Sequence, residues 1–400
     1  MKAWKVRPEV SRLLIFALAL MATLVMALWP QDSGQTFRTL VSNGISYQQG
    51  TVAEVISETL EESALNSGQL GRQELDILLK DGRHIQLTNY LTDTHNILAK
   101  KGNRVIVCVD APEGVEPYYT LYNYDRGAVL GGLLAVFVLL MLWVGGGRGG
   151  CAVLALLFSL LFLVRVTVPA IYEGSSPVGV GILMVLLSTA VTLLLLHGPT
   201  ARAALAAGVT LAGECVAGVL FAAASALLHI SGFQTDAAEG LLVVAQNTEL
   251  DLKNLLFAAV MIASLGAVMD VAVSLLSALW ELRVNQPVIS ARQLFRSGMN
   301  IGRDMIGTMS NTLIFAFAGN ALTTMLSLYA YGIQTNQLLH SDYVALELAQ
   351  GLCGTCAVIL TVPMASLAAA MAFPHWKIPV ENTVCIEHSK QGKNFKGVTT

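Results

Sequence analysis

Charge is what this 400-residue sequence has least of: Asp, Glu, Lys and Arg make up 13% of it, about half the share usual in globular proteins. The few charges also balance, 24 basic against 27 acidic, so no basic face for a polyanion is expected. Cysteine is sparse as well. Of six, only Cys108 falls in the segment read below as external, which excludes a disulfide framework. Catalytic motifs are missing too: there is no Walker A loop, no H-E-x-x-H and no G-x-S-x-G, and the seven His are scattered, with His197 and His229 near helix ends. Hydrophobic residues, at 54%, and a mean hydropathy of +0.61 fill the gap. Such a chain is an integral membrane protein, and its few polar groups are the ones to follow.

A membrane helix needs roughly 20 apolar residues to cross about 30 Å of hydrocarbon. Eight stretches qualify: 13–29, 128–144, 151–170, 178–196, 203–230, 255–280, 305–331 and 344–373, the last holding Pro363 as a kink site. Lys2, Lys5, Arg7 and Arg12 before the first span place the N-terminus in the cytoplasm. Arg148, Arg202, the segment with Arg283, Arg292, Arg296 and Arg303, and a tail with Lys377, Lys390, Lys393 and Lys396 then fall on the same side. The opposite loops carry Glu173, Asp236, Glu239, Glu249 and Asp251. Residues 1–29 also have the basic start and apolar run of a signal peptide, but the run is long and Leu28-Trp29-Pro30 is a poor cleavage site, so a retained anchor is the reading.

The expected organisation is mainly α. An anchor helix (1–30) precedes an extracytoplasmic domain (31–126), a seven-helix membrane domain (127–374) and a cytoplasmic tail (375–400). The external segment alternates as strands do, at 52–59, 74–79, 84–88, 104–110 and 118–124, with Lys80-Asp81-Gly82 as a hairpin turn and Lys101-Gly102-Asn103 before the fourth strand. Five short strands suit a small OB-like barrel. The tyrosines of 118–124 read as an interfacial belt rather than a ligand platform.

Two patterns imitate chemistry. Gly145-Gly146-Gly147-Arg148-Gly149-Gly150 fits G-x-G-x-x-G, but it joins two membrane helices and so reads as a cytoplasmic turn. Cys353 and Cys356, one turn apart on one face of the eighth span, read as small-residue packing rather than a redox pair, because an apolar helix is a poor place for a thiolate.

Acids within the membrane are functional candidates. Glu214 in the fifth span and Asp270 in the sixth lie roughly 15–16 Å from the cytoplasmic ends of their helices, at matching depth. Thr210, Glu214 and Gly218 share one face; so do Gly266, Asp270 and Ser274, with Ser277 alongside. Such stripes either let helices approach or line a hydrated path. Arg165 is a candidate counter-ion to either acid. Thr308 and Asn311 of the seventh span add polar groups, Asn311 roughly 9 Å deep, after a short interfacial helix at 287–299.

The stretch 255–370 resembles the YibE/F family of bacterial multispanning membrane proteins. The residues that carry the resemblance are Gly266-Ala267-Val268-Met269-Asp270-Val271-Ala272, the run from Gly302-Arg303-Asp304-Met305 through Ser310-Asn311-Thr312-Leu313, Glu347 with Gly351, and Thr361-Val362-Pro363. The resemblance implies architecture and a bacterial plasma membrane, but no activity. A second likeness, to the cores of RND permeases and the SecD/SecF translocation factors, rests on Gly266-x-x-x-Asp270 followed by a basic amphipathic segment and another span. It implies Asp270 as a proton-relay carboxylate.

The resulting expectation is a permease or export component, proton-coupled through Asp270 and Glu214, with Arg165, Asn311, Thr308 and Ser274 along the path. The alternative is a non-transporting scaffold whose external domain binds a partner. Neither reading calls for catalysis, a cofactor, a metal or nucleic acid. Partners consistent with both are the bilayer, an unidentified solute or protein, and a second copy or a paralogous membrane protein.

Overall fold

The computed structural model describes residues 8–28, 44–63, 68–112, 114–230 and 251–377. Several charges that orient the spans lie outside the described residues, namely Lys2, Lys5, Arg7, Asp236, Glu239, Glu249, Lys390, Lys393 and Lys396. The chain divides into two compact units, Ser33–Gly145 and Met1–Asp32 with Gly146–Thr400.

The first unit is built on five antiparallel strands: β1 (Ile45–Glu62), β2 (Gln69–Leu79), β3 (His84–Leu91), β4 (Arg104–Asp110) and β5 (Tyr118–Tyr124), in the order β3-β2-β1-β4-β5. β1 serves both halves, pairing β4 through residues 45–51 and β2 through 50–62. Gly50 stands where the two ladders overlap, and a Cβ there would lie 2.6 Å from Ile77. Alternation buries Val52, Leu75, Ile77, Leu87, Val105, Val107 and Leu121 on one face, which curls into a half-barrel. Of the small OB-like barrel expected from the sequence, the structure has a half-barrel: among the described residues β3 and β5 share no ladder, and a His95 Nε2 contact to the Leu121 carbonyl (3.2 Å) bridges toward β5.

Lys80-Asp81-Gly82 is the β2–β3 turn, with Gly82 at φ 86°. Asp81 accepts from the Arg83 backbone N–H (3.1 Å) and from its Nε (2.7 Å), which holds the Asp81 carboxyl below its ordinary range. Under the sheet, buried Gln73 donates to Glu58 (3.0 Å) and to the Ala99 carbonyl (3.1 Å) and accepts from the Ala99 N–H (2.9 Å), pinning the β3–β4 connection.

The helices are α1 (Pro8–Leu28), α2 (Gly127–Phe162), α3 (Val168–Tyr172), α4 (Pro177–His197), α5 (Ala201–Leu227), α6 (Leu252–Asn285), α7 (Ala291–Ala330), α8 (Thr335–Leu339) and α9 (Asp342–Ala372). Six segments among the described residues are long and apolar enough to cross a membrane: Gly127–Tyr172, Pro177–His197, Ala201–Leu227, Leu252–Asn285, Ala291–Ala330 and Asp342–His375. Leu13–Leu28 is a shorter apolar helix.

In the glycine run, expected as a tight or flexible turn between two helices, Gly146 is non-helical (φ 54°, ψ −136°), a conformation open to glycine because it lacks Cβ, and two helices meet there within α2. One sequence expectation changes: 287–299 is not a separate interfacial helix. Ser290 and Gln293 form a capping box, and α7 then continues for 40 residues.

Lipid removes the hydrophobic drive between helices, so close packing of small residues takes its place. Gly213 of α5 sits so close to α6 and α9 that a Cβ would lie 2.6 Å from both Val268 and Thr361. On α7, a Cβ at Gly298 would meet Ser366 at 2.5 Å, and one at Gly302 would meet Val362 at 2.1 Å. Further along, Leu313 reaches Gly354 and Phe317 reaches Gly351, so α7 lies antiparallel to α9 for most of its length. Val268, Val271, Leu275, Leu279, Val358, Val362 and Ala365 fill the seam between these helices.

Candidate functional site

Glu214 stands at the midpoint of α5, with thirteen residues of helix on either side. Its side chain is only 1% exposed. Ser264 on α6 donates its hydroxyl to Glu214 Oε2 at 3.0 Å, while also reaching the Val260 carbonyl of its own helix (2.9 Å). The other carboxyl oxygen, Oε1, is buried and has no hydrogen-bond partner.

That carboxyl lines an open cleft of about 350 Å³ between α4, α5 and α6. The walls are Ile182, Val185, Leu186, Leu211, Val219, Phe257 and Met261, with Cys215 and Gly218 beside the acid. Gly218 and Phe257 touch so closely that a Cβ would fall 2.7 Å from the ring, which fixes one wall. The cleft is thus apolar with a single acidic group. Chemically it suits an apolar molecule carrying one cationic or hydrogen-bond-donating head, or a proton carried on the acid itself.

Asp270 is placed differently. It is an exposed residue of α6, together with Gly266, Ser274 and Ser277. Ser264 faces Glu214, and six residues further on Asp270 is turned by about 240° around the helix. The structure therefore does not bring the two acids together: one stripe, Thr210-Glu214-Gly218, is a packed seam, and the other faces outward. Arg165 falls in a π-helical turn, Leu163–Thr167, and among the described residues it makes no ion pair with either acid. The counter-ion role has no geometric support, because helix rotation and not depth decides which side chains meet.

On α7, Thr308 and Asn311 are exposed. The Thr308 hydroxyl donates to the Met305 carbonyl (3.1 Å), which satisfies it within the helix. Asn311 lies along α7 between the Gly302–Val362 and Leu313–Gly354 contacts with α9. Cys353 is buried and Cys356 exposed, both free thiols, so they do not share an environment as their spacing suggested.

The profile of YibE/F-like proteins matches residues 133–375, more than half of the 400. The chain belongs to this family. No curated protein and no solved structure matches it. The part of this YibE/F-like protein that the family covers includes Arg165, Glu214, Ser264, Asp270, Ser274, Thr308 and Asn311, and excludes the five-stranded sheet. The likeness to RND and SecD/SecF cores gains nothing from the structure, since its key residue, Asp270, faces away from the packed seam.

Sequence reasoning missed Ser264. Its signal was present: a serine in the apolar middle of a helix needs an acceptor, but which neighbour supplies it depends on how α5 and α6 are rotated. That α7 lies alongside α9 has no signal in the sequence either, because the packing at Gly298 and Gly302 joins distant parts of the chain.

Proposed function

We propose that this YibE/F-like membrane protein is a permease or export component whose working group is Glu214. The supporting observation is a carboxyl at mid-helix, at the edge of an apolar cleft, with one oxygen held by Ser264 and the other unpartnered. Binding sites near the midplane of a helical bundle are the usual arrangement in transporters. The free oxygen is the place where a proton or the cationic head of an apolar solute is taken up. In this reading the chain crosses the plasma membrane eight times, α2 counting as two crossings on either side of Gly146, with both termini in the cytoplasm and 31–126 outside.

The test uses the full chain in liposomes with an internal pH dye and an imposed pH gradient, with and without a lipophilic amine. Proton movement that depends on the protein and disappears in Glu214→Gln, but persists in Asp270→Asn, is the expected result. Undiminished flux in Glu214→Gln sinks the proposal.

A second reading is a scaffold whose sheet domain binds a partner. It is favoured by a polar cleft of about 490 Å³ on the sheet unit, lined by Ile56, Glu58, Lys100 and Lys101. Deleting residues 35–117 then abolishes function more completely than neutralising Glu214.

A further inference from the structure

The cleft that Glu214 lines has a buried floor and an exposed rim. Val185 of α4, Glu214 and Gly218 of α5 and Met261 of α6 are buried. One side of the rim is Ile182 and Leu186, 42% and 41% exposed and one turn apart on α4. The other side is Cys215, Val219 and Ala222 of α5, exposed residues at intervals of four and three, with Val219 open to 68%.

Where the rim lies decides what it faces. α4 and α5 are both long and apolar enough to span a membrane. Every rim residue stands at least five residues from either end of its helix, roughly 7–8 Å along it. The mouth therefore opens along the middle of two membrane helices and not at an end, where water is. Its edges are also apolar, which is unfavourable against water and costs nothing against hydrocarbon. The cleft opens sideways, into lipid.

Lipid does not satisfy the floor. Oε1 of Glu214 is buried with no hydrogen-bond partner among the described residues, and it belongs to the one charged residue that lines the cleft. A lipid tail or an apolar helix lying in the cleft brings no donor and leaves that oxygen unpaired. A bare proton satisfies the oxygen but has no use for the apolar walls. A molecule that meets both demands is apolar over most of its length and carries an N–H donor, cationic for preference, at one end.

We infer that the cleft binds an amphiphilic amine dissolved in the bilayer, which enters sideways between the α4 and α5 ridges. Its ammonium donates to Glu214 Oε1, while its apolar part lies along Val185, Val219, Phe257 and Met261. A volume of about 350 Å³ is at the lower end for ligand clefts, so that part is a single small ring or a short chain. The inference rests on the reading of Glu214 as the working group and adds to it the class of substrate and the route by which it arrives.

The test uses the full chain in phosphatidylcholine nanodiscs and a decylamine that carries a photoactivatable diazirine. After illumination the label is expected on 182–186 and 215–222. Decylamine should displace it about tenfold better than decanol at equal membrane concentration, the lower end for a hydrogen bond to a charged group. Glu214→Gln removes that preference and Asp270→Asn keeps it. The route is read without touching the acid, from a nitroxide on Val219→Cys in the chain with its six native cysteines replaced by alanine. It should collide with oxygen dissolved in lipid far more than with a water-soluble nickel chelate. Equal displacement by decanol, or label spread evenly over the lipid-facing helices, overturns the amine site. A nitroxide open to the nickel chelate overturns the route through lipid. Amine preference without pH-driven flux keeps this site and removes transport, whereas Glu214-dependent flux without amine preference keeps transport and removes this site.

Discussion

The Ser264 hydroxyl on α6 donates to the Glu214 carboxyl at the midpoint of α5, at 3.0 Å, and among the described residues it is the carboxyl's only hydrogen bond. One polar bond thus joins two helices that otherwise meet through glycine and apolar side chains, Gly213 against Val268 and Gly218 against Phe257 among them. It fixes which way the acid points: Oε2 toward α6, with Oε1 unpartnered among the described residues.

Replacing Ser264 by alanine removes that donor and should lower stability by about 1 kcal/mol, the ordinary net value of such a bond. Glu214→Leu should cost little or raise stability, because Ser264 retains its bond to the Val260 carbonyl and no buried oxygen is left unpaired. Thermal unfolding in detergent separates the two. If Glu214→Leu is the more damaging of the pair, the acid is structural and the transport reading loses its basis.

Gly302 on α7 and Val362 on α9 make the closest approach of any helical glycine among the described residues, with a Cβ at the glycine only 2.1 Å from a valine methyl. Gly302→Ala should therefore destabilise by about 1–3 kcal/mol through overpacking. Val362→Ala makes room, so the double variant should be more stable than Gly302→Ala alone. Additive losses in the double-mutant cycle would mean that the two helices do not meet there.

In the sheet, Gln73 is only 1% exposed and bonds both the N–H and the carbonyl of Ala99. Gln73→Ala leaves those backbone groups and the Asn89 amide short of partners, at a cost of about 2–4 kcal/mol. Hydrogen exchange in the full chain should show the Ala99 amide exchanging faster, with little change in α5 or α9. Unchanged protection at Ala99 argues against this role for Gln73.

Much of this was legible in the sequence because it depends on local pattern. Apolar runs longer than about 17 residues dictate membrane helices whatever packs against them. Alternation with Asp81-Gly82 dictates the β2–β3 hairpin, and the strands at 104–110 and 118–124 end where the sequence places them. Even the mid-helix position of Glu214 follows from counting residues along α5.

What the sequence could not fix is rotation. Glu214 and Asp270, expected at matching depth with similar small-residue stripes, differ in both height and direction: Glu214 is level with Ser264, about 9 Å along α6 from Asp270, and is sealed in a seam, whereas Asp270 faces out. The same holds for α7, where Gly298 and Gly302 decide that Asn300, Asp304 and Asn311 point away from their own chain. Position along a helix is additive and can be read from a sequence. Azimuth is set by the closest approach of backbones from distant parts of the chain, and only the tertiary structure decided it.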